Sequence, residues 1–195
     1  MINTNSQLMP WIAYKMMTFV MNIRKRFRNI ESEITFPGTR SSDIVVDYGC
    51  GPGFNTIPLA RDIVKNGKVY ALDNNPNAIN DIVRKANALN LKNIETIAFG
   101  YPEGIGEESI DIVFLHNVLP YIKDKESVLA GIHRILKPQG RLSYMSRKIA
   151  HAVGKRETGE TAMTDEELTK YLETNYSYQL IKKDGGHLVF EKQKN

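Results

Sequence analysis

The chain has 195 residues, 42% of them hydrophobic and 25% charged, with a formal net charge of +4. These are the proportions of one soluble globular domain with room for a core. A single cysteine, Cys50, and four scattered histidines exclude an intrachain disulfide framework and offer no zinc-ligand spacing, so no metal site is expected and a reducing cytoplasm is the expected compartment.

Residues 8–30 read as a helix with a wide apolar face, Trp11, Tyr14, Met17 and Met21 forming one row and Ile12, Met16, Phe19, Val20 and Ile23 a second. Lys15 interrupts the stretch and Arg24, Lys25, Arg26 and Arg28 follow it. That order fits neither a signal peptide nor a membrane span. Residues 35–43, with Pro37 and Gly38, read as a connector. A regular alternation then begins. The β-branched run Ile44-Val45-Val46 predicts a buried strand over 43–47, a glycine-rich turn follows, and a helix runs from about 55 to 65 until Asn66-Gly67 stops it. Strand 68–72 ends at Asp73, and Pro76 opens a helix to about residue 90. Strands at 93–99 and 110–116, a helix at 126–136 stopped by Lys137-Pro138-Gln139-Gly140, and a strand at 141–145 complete the alternation. Residues 147–162 are polar and irregular. Thr164 and Glu167 have the spacing of a capping box. The stretches 178–182 and 187–191 flank a Lys183-Asp184-Gly185-Gly186 turn and predict a hairpin that closes the sheet. Alternating apolar strands and helices require a parallel sheet covered on both faces.

The informative segment is Asp47-Tyr48-Gly49-Cys50-Gly51-Pro52-Gly53. It leaves the carboxyl end of the first strand, the edge at which open parallel sheets bind ligands. Glycines at alternate positions let a ligand touch backbone, and the following helix points free N–H groups at it. A dinucleotide fingerprint would put its third glycine at Phe54 or Thr56, and the Gly-Lys-Ser/Thr of a phosphate loop is absent. An acid stands two residues before the first glycine, which suits a cationic ligand and repels a pyrophosphate.

These residues, with Val69-Tyr70-Ala71-Leu72-Asp73, Ile110-Asp111-Ile112-Val113-Phe114-Leu115-His116-Asn117-Val118-Leu119 and Leu136-Lys137-Pro138-Gln139-Gly140-Arg141-Leu142, resemble the class I S-adenosylmethionine-dependent methyltransferases over about residues 43–146. The flavour is similar to the ubiquinone/menaquinone-biosynthesis group. The resemblance implies one domain over 1–195: a Rossmann-like doubly wound α/β sheet, seven-stranded and mostly parallel, with a C-terminal antiparallel hairpin and an N-terminal lid helix. It implies S-adenosylmethionine as cofactor and S-adenosylhomocysteine as product. Asp47 would face the cofactor's ammonium group. Gly49 and Gly51 would admit the methionine part and ribose, and Phe54 would pack near them. Asp73, 20 residues after Gly53, would accept from the ribose hydroxyls. Asn74 would stand beside the adenine, where relatives carry an apolar residue. Gly100 and Tyr101 occupy the place where relatives often carry an Asp for the adenine amino group. Cys50 would be a small filler.

His116 would lie beside the methyl group, either as a candidate general base or as a positioning residue with no proton role. Tyr121 is the second candidate catalytic residue, expected to line the acceptor pocket. The paired prolines of many exocyclic-amine methyltransferases are absent from His116-Asn117-Val118-Leu119-Pro120-Tyr121, and one thiol disfavours arsenite. The expected acceptor is therefore a small organic molecule. RNA or protein methylation, or a non-catalytic cofactor-binding module, are the alternatives; the small basic excess is only weak evidence for a nucleic-acid partner, and none is expected. The N-terminal helix has two readings, a lid closing the pocket or a peripheral contact with an anionic membrane surface. His151, Lys155 and Arg156 are candidates for holding an anionic acceptor.

Overall fold

The computed structural model describes residues 29–98, 102, 104–147, 155, 158–159 and 162–194. The helix read over 8–30 lies almost wholly outside them, as do Phe99, Gly100, Tyr101, His151 and Arg156. The first described helix, α1 (Ile30–Thr35), was not anticipated. Asn29 caps it in a non-helical conformation, its side chain accepting from the Ser32 N–H at 3.0 Å.

A seven-stranded sheet has the order β3-β2-β1-β4-β5-β7-β6. The strands are β1 (Ile44–Tyr48), β2 (Lys68–Leu72), β3 (Ile94–Ile97), β4 (Ile110–His116), β5 (Leu136–Met145), β6 (Tyr178–Asp184) and β7 (His187–Lys192). The first five pair in parallel, and β7 runs antiparallel between β5 and β6. The expected hairpin thus enters the sheet with its second strand inside and its first at the edge.

Strand alternation divides the core. Val45, Val69, Ile112 and Phe114 pack beneath Ile30 and Ile34 of α1 and Leu59 and Val64. Val46, Val113, Leu115, Leu142 and Tyr144 face α4 (Lys125–Ile135) and α5 (Asp165–Tyr176) through Leu129, Ile132, Leu168 and Leu172. Ala71 and Cys50 meet Ile79 and Ile82 of α3 (Pro76–Ala88). Burial on both faces is why these strands read as continuous apolar runs.

Two predicted elements differ from the observed ones. The helix read over 55–65, α2, starts as an α-helical turn, Thr56–Pro58, and continues as a π-helix, Leu59–Ile63. The Asn93 side-chain amide donates to the Ala60 and Val64 carbonyls at 2.9 and 2.7 Å, an insertion that accommodates the wider turn. The Lys137-Pro138-Gln139-Gly140 stretch stops α4 as expected but is already part of β5. It bulges between the Ile110–Leu136 and Ile112–Arg141 pairs, with Gln139 at φ 66°. The capping box forms as read: the Glu167 N–H reaches Thr164 Oγ1 at 3.1 Å and the Thr164 N–H reaches Glu167 Oε2 at 2.8 Å.

Candidate functional site

Asp47, Asp73 and His116 converge at the carboxyl edge of the parallel strands, because β1, β2 and β4 are neighbours in register. Asp47 is only 2% exposed. The Thr56 hydroxyl donates to its Oδ2 at 2.6 Å. Burial pushes its carboxyl up from 3.8 to about 6, against the lowering effect of hydrogen bonds from Thr56 and the Asn55 side chain, and the nearby Asp73 charge raises it further. Among the described residues no basic side chain forms an ion pair with it.

The loop glycines serve three different ends. Gly49 sits at φ 68°, and a Cβ there would stand 2.7 Å from Val118 Cγ1, so the chain after β4 packs directly on its backbone. Gly51, at φ 50°, faces open space, and its N–H donates to Asp73 Oδ2 at 2.8 Å. Gly53, at φ 84°, lies close against Ile57 and Ile82, fitting the loop to α2 and α3. The Asn75 N–H binds the other Asp73 oxygen at 2.8 Å. Both oxygens of Asp73 keep a second lone pair, and partial burial raises its carboxyl above the ordinary value. Cys50 is buried, which together with Asp47 and Asp73 keeps it a thiol. Phe54 is also buried, and Asn74 is exposed at the end of β2. Gly100 and Tyr101 lie outside the described residues.

Asn55 was missed by the sequence reading. It occupies the N-cap of α2 yet makes no capping hydrogen bond. Its side chain turns inward, with Nδ2 at 3.4 Å from His116 Nδ1, while Oδ1 is buried without a partner. An asparagine two residues after the last loop glycine is the available signal. His116 is buried as well, and its other nitrogen, Nε2, meets Ser143 Oγ at 2.9 Å. Ser143, buried in β5, continues to His187 Nε2 at 2.8 Å. Tyr121 ends a short 3₁₀ turn, Leu119–Tyr121, after β4 and is 38% exposed.

A family model described as a methyltransferase domain matches residues 39–192. The chain belongs to the methyltransferase family. Its class is that of the S-adenosylmethionine-dependent class I enzymes. One similar protein is the demethylmenaquinone methyltransferase of Lactobacillus johnsonii, 30% identical over 108 residues, a match covering 54% of this chain and 44% of that one. The chain spans about half the length, or less, of the first curated relatives it matches. Among solved structures, a SAM-dependent methyltransferase from Aquifex aeolicus superimposes with a TM-score of 0.68 at 21% identity, covering 86% of this chain and 90% of that one. The [4+2]-cyclase SpnF shares the fold with a TM-score of 0.64 at 17% identity, covering 81% of this chain and 58% of that one. The same methyltransferase fold thus carries other chemistry, so the activity must be argued from the site.

The residues present fit the family's cofactor. A buried carboxylate with no basic partner among the described residues and a buried amide oxygen with no donor both belong to the segment that would meet the ammonium group. Such atoms are costly unless a donor completes them. The open space at Gly51 leaves room for a ligand against backbone.

Proposed function

We propose that the chain transfers a methyl group from S-adenosylmethionine to a small organic acceptor. The observation that carries this reading is Asp47, a buried carboxylate that burial pushes up to about 6 and that has no ion-pair partner among the described residues. Its neighbour Asn55 adds an unsatisfied acceptor oxygen. A ligand bearing an ammonium group would satisfy both. Asp73 would accept from the ribose hydroxyls through the lone pairs that Gly51 and Asn75 leave free. Gly49, Gly51 and Phe54 would border the ligand, and Asn74 would flank the base. Gly100 and Tyr101 are proposed for the base from sequence position alone.

When bound, S-adenosylmethionine supplies a methyl group on an already activated sulfonium. The protein's share is to hold donor and acceptor in line and to exclude water. His116, the last residue of β4, and Tyr121, on the chain that leaves it, are the side chains proposed for the acceptor side. A quinone-like acceptor is favoured by the name of the Lactobacillus johnsonii relative, and the absence of paired prolines after β4 disfavours an exocyclic amine. The test is calorimetry with S-adenosylmethionine, then a turnover screen against metabolite extracts read by mass shift. Lack of binding at millimolar cofactor sinks the proposal; binding without turnover of any acceptor leaves a cofactor-binding module.

A further inference from the structure

A line of buried polar groups crosses one face of the sheet beneath α1 and α2. Asn55 Nδ2 meets His116 Nδ1, His116 Nε2 meets Ser143 Oγ, and Ser143 Oγ meets His187 Nε2, at 3.4, 2.9 and 2.8 Å. The two imidazoles stand edge to face, 5.0 Å between centroids. A serine hydroxyl has one proton and a neutral imidazole has one, so the pattern constrains itself. With the Asn55 amide donating to His116 Nδ1, His116 must carry its proton on Nε2 and give it to Ser143. Ser143 then donates to His187 Nε2, and His187 holds its own proton on Nδ1. Every bond in the line points the same way.

We propose that Ser143 and His187 are positioning residues for His116: they hold it in one tautomer, with Nδ1 as the basic atom, and give it a route for discharging a proton toward the C-terminal hairpin. This rests on reading the carboxyl edge as a methyl-transfer site. An acceptor that loses a proton as it gains a methyl group would give that proton to His116 Nδ1. The acceptor's bond to hydrogen breaks and an N–H bond forms. His116 then passes its Nε2 proton to Ser143 Oγ, and Ser143 passes its own to His187 Nε2. His116 and Ser143 end neutral and the charge rests on His187.

Burial is the largest influence on the His187 charge and disfavours it. Glu33 of α1 and Asp184 of β6 favour the cation, while burial and Lys182 of β6 oppose it and lower its affinity for a proton. Arg147 pairs with Glu33 at 2.9 Å, and the Phe36 ring lies 4.4 Å from the imidazole. On the other side, Phe114 of β4 stands edge-on to His116, and Asp47 of β1 shares the Asn55 side chain.

The test is nitrogen-15 spectroscopy of ring nitrogens in the full chain, assigned with His133→Gln and His151→Gln. The expected spectrum has His116 protonated on Nε2 and His187 on Nδ1, each as a single tautomer. In Ser143→Ala, His116 becomes a mixture of tautomers. In His187→Ala, the Ser143 hydroxyl turns toward His116 Nε2 and drives its proton to Nδ1. A mixed His116 in the wild type, or a His116 unchanged in both variants, overturns the proposal. The wild-type spectrum decides alone if neither variant folds. The same sample titrated with S-adenosylmethionine tests the cofactor reading separately: the expected tautomers without binding overturn only that reading.

Discussion

Replacing Asp47 by Asn should stabilise the ligand-free protein while removing its hold on the cofactor. Asp47 is buried and lacks an ion-pair partner among the described residues, and its carboxyl is pushed up from 3.8 to about 6. The native state therefore binds more protons than the unfolded chain between those values. Stability contributed by this group is present at low pH and lost as pH rises through the window. The rise corresponds to about 3 kcal/mol of penalty above about pH 6, at 1.36 kcal/mol per pH unit. The amide of Asp47→Asn is neutral throughout and keeps an oxygen for the Thr56 hydroxyl, now held at 2.6 Å. Its advantage over wild type should be near zero at about pH 4 and grow to at most about 3 kcal/mol near about pH 7.5. For a chain of this size that is a melting-temperature difference of roughly 6–12 °C. Thermal melts of both proteins across this range measure it. Cofactor affinity should fall about 10- to 150-fold, the value of a charge-assisted bond of roughly 1.5–3 kcal/mol. A variant less stable than wild type near neutral pH, or a difference that does not change with pH, would refute the reasoning.

Other expectations concern the same edge. Wild-type affinity for S-adenosylmethionine should weaken up to about tenfold per pH unit below about pH 6, as Asp47 gains its proton; calorimetry across pH that shows no change contradicts the role. Asp73→Ala should lower affinity by a similar factor, about 10- to 150-fold, by removing charged hydrogen bonds. Gly49→Ala should destabilise more than Gly51→Ala, since only the former drives a Cβ into Val118. Adding Val118→Ala should recover part of the first loss and none of the second, as read by urea denaturation. Thr164→Ala should cost about 1 kcal/mol by removing the capping box of α5, without altering cofactor binding.

Much of the architecture was legible because its causes are local. β-branched runs, Pro76 and the Thr164–Glu167 spacing mark strands and helix starts, and these appear where read. The π-helical end of α2 was not legible, since it depends on Asn93, whose side chain reaches back from the next turn of the fold. The bulge in β5 was read as a helix stop, because Pro138 and Gly140 carry the same local signal in either setting.

The acid-first glycine loop, Asp73 just after β2 and the family to which they belong are legible in the chain alone. Such motifs survive as short contiguous strings because backbone turns and strand ends are local events. Only the tertiary structure decided that Gly49 answers to Val118, that Asn55 abandons its cap, and that Asp47 is buried without an ion-pair partner among the described residues. It alone brought His116, Ser143 and His187 into one line. Those residues are 27 and 44 positions apart in the chain, and nothing local signals their pairing. Parallel and antiparallel register across β4, β5 and β7 puts them on one face, and that register is a property of the closed sheet.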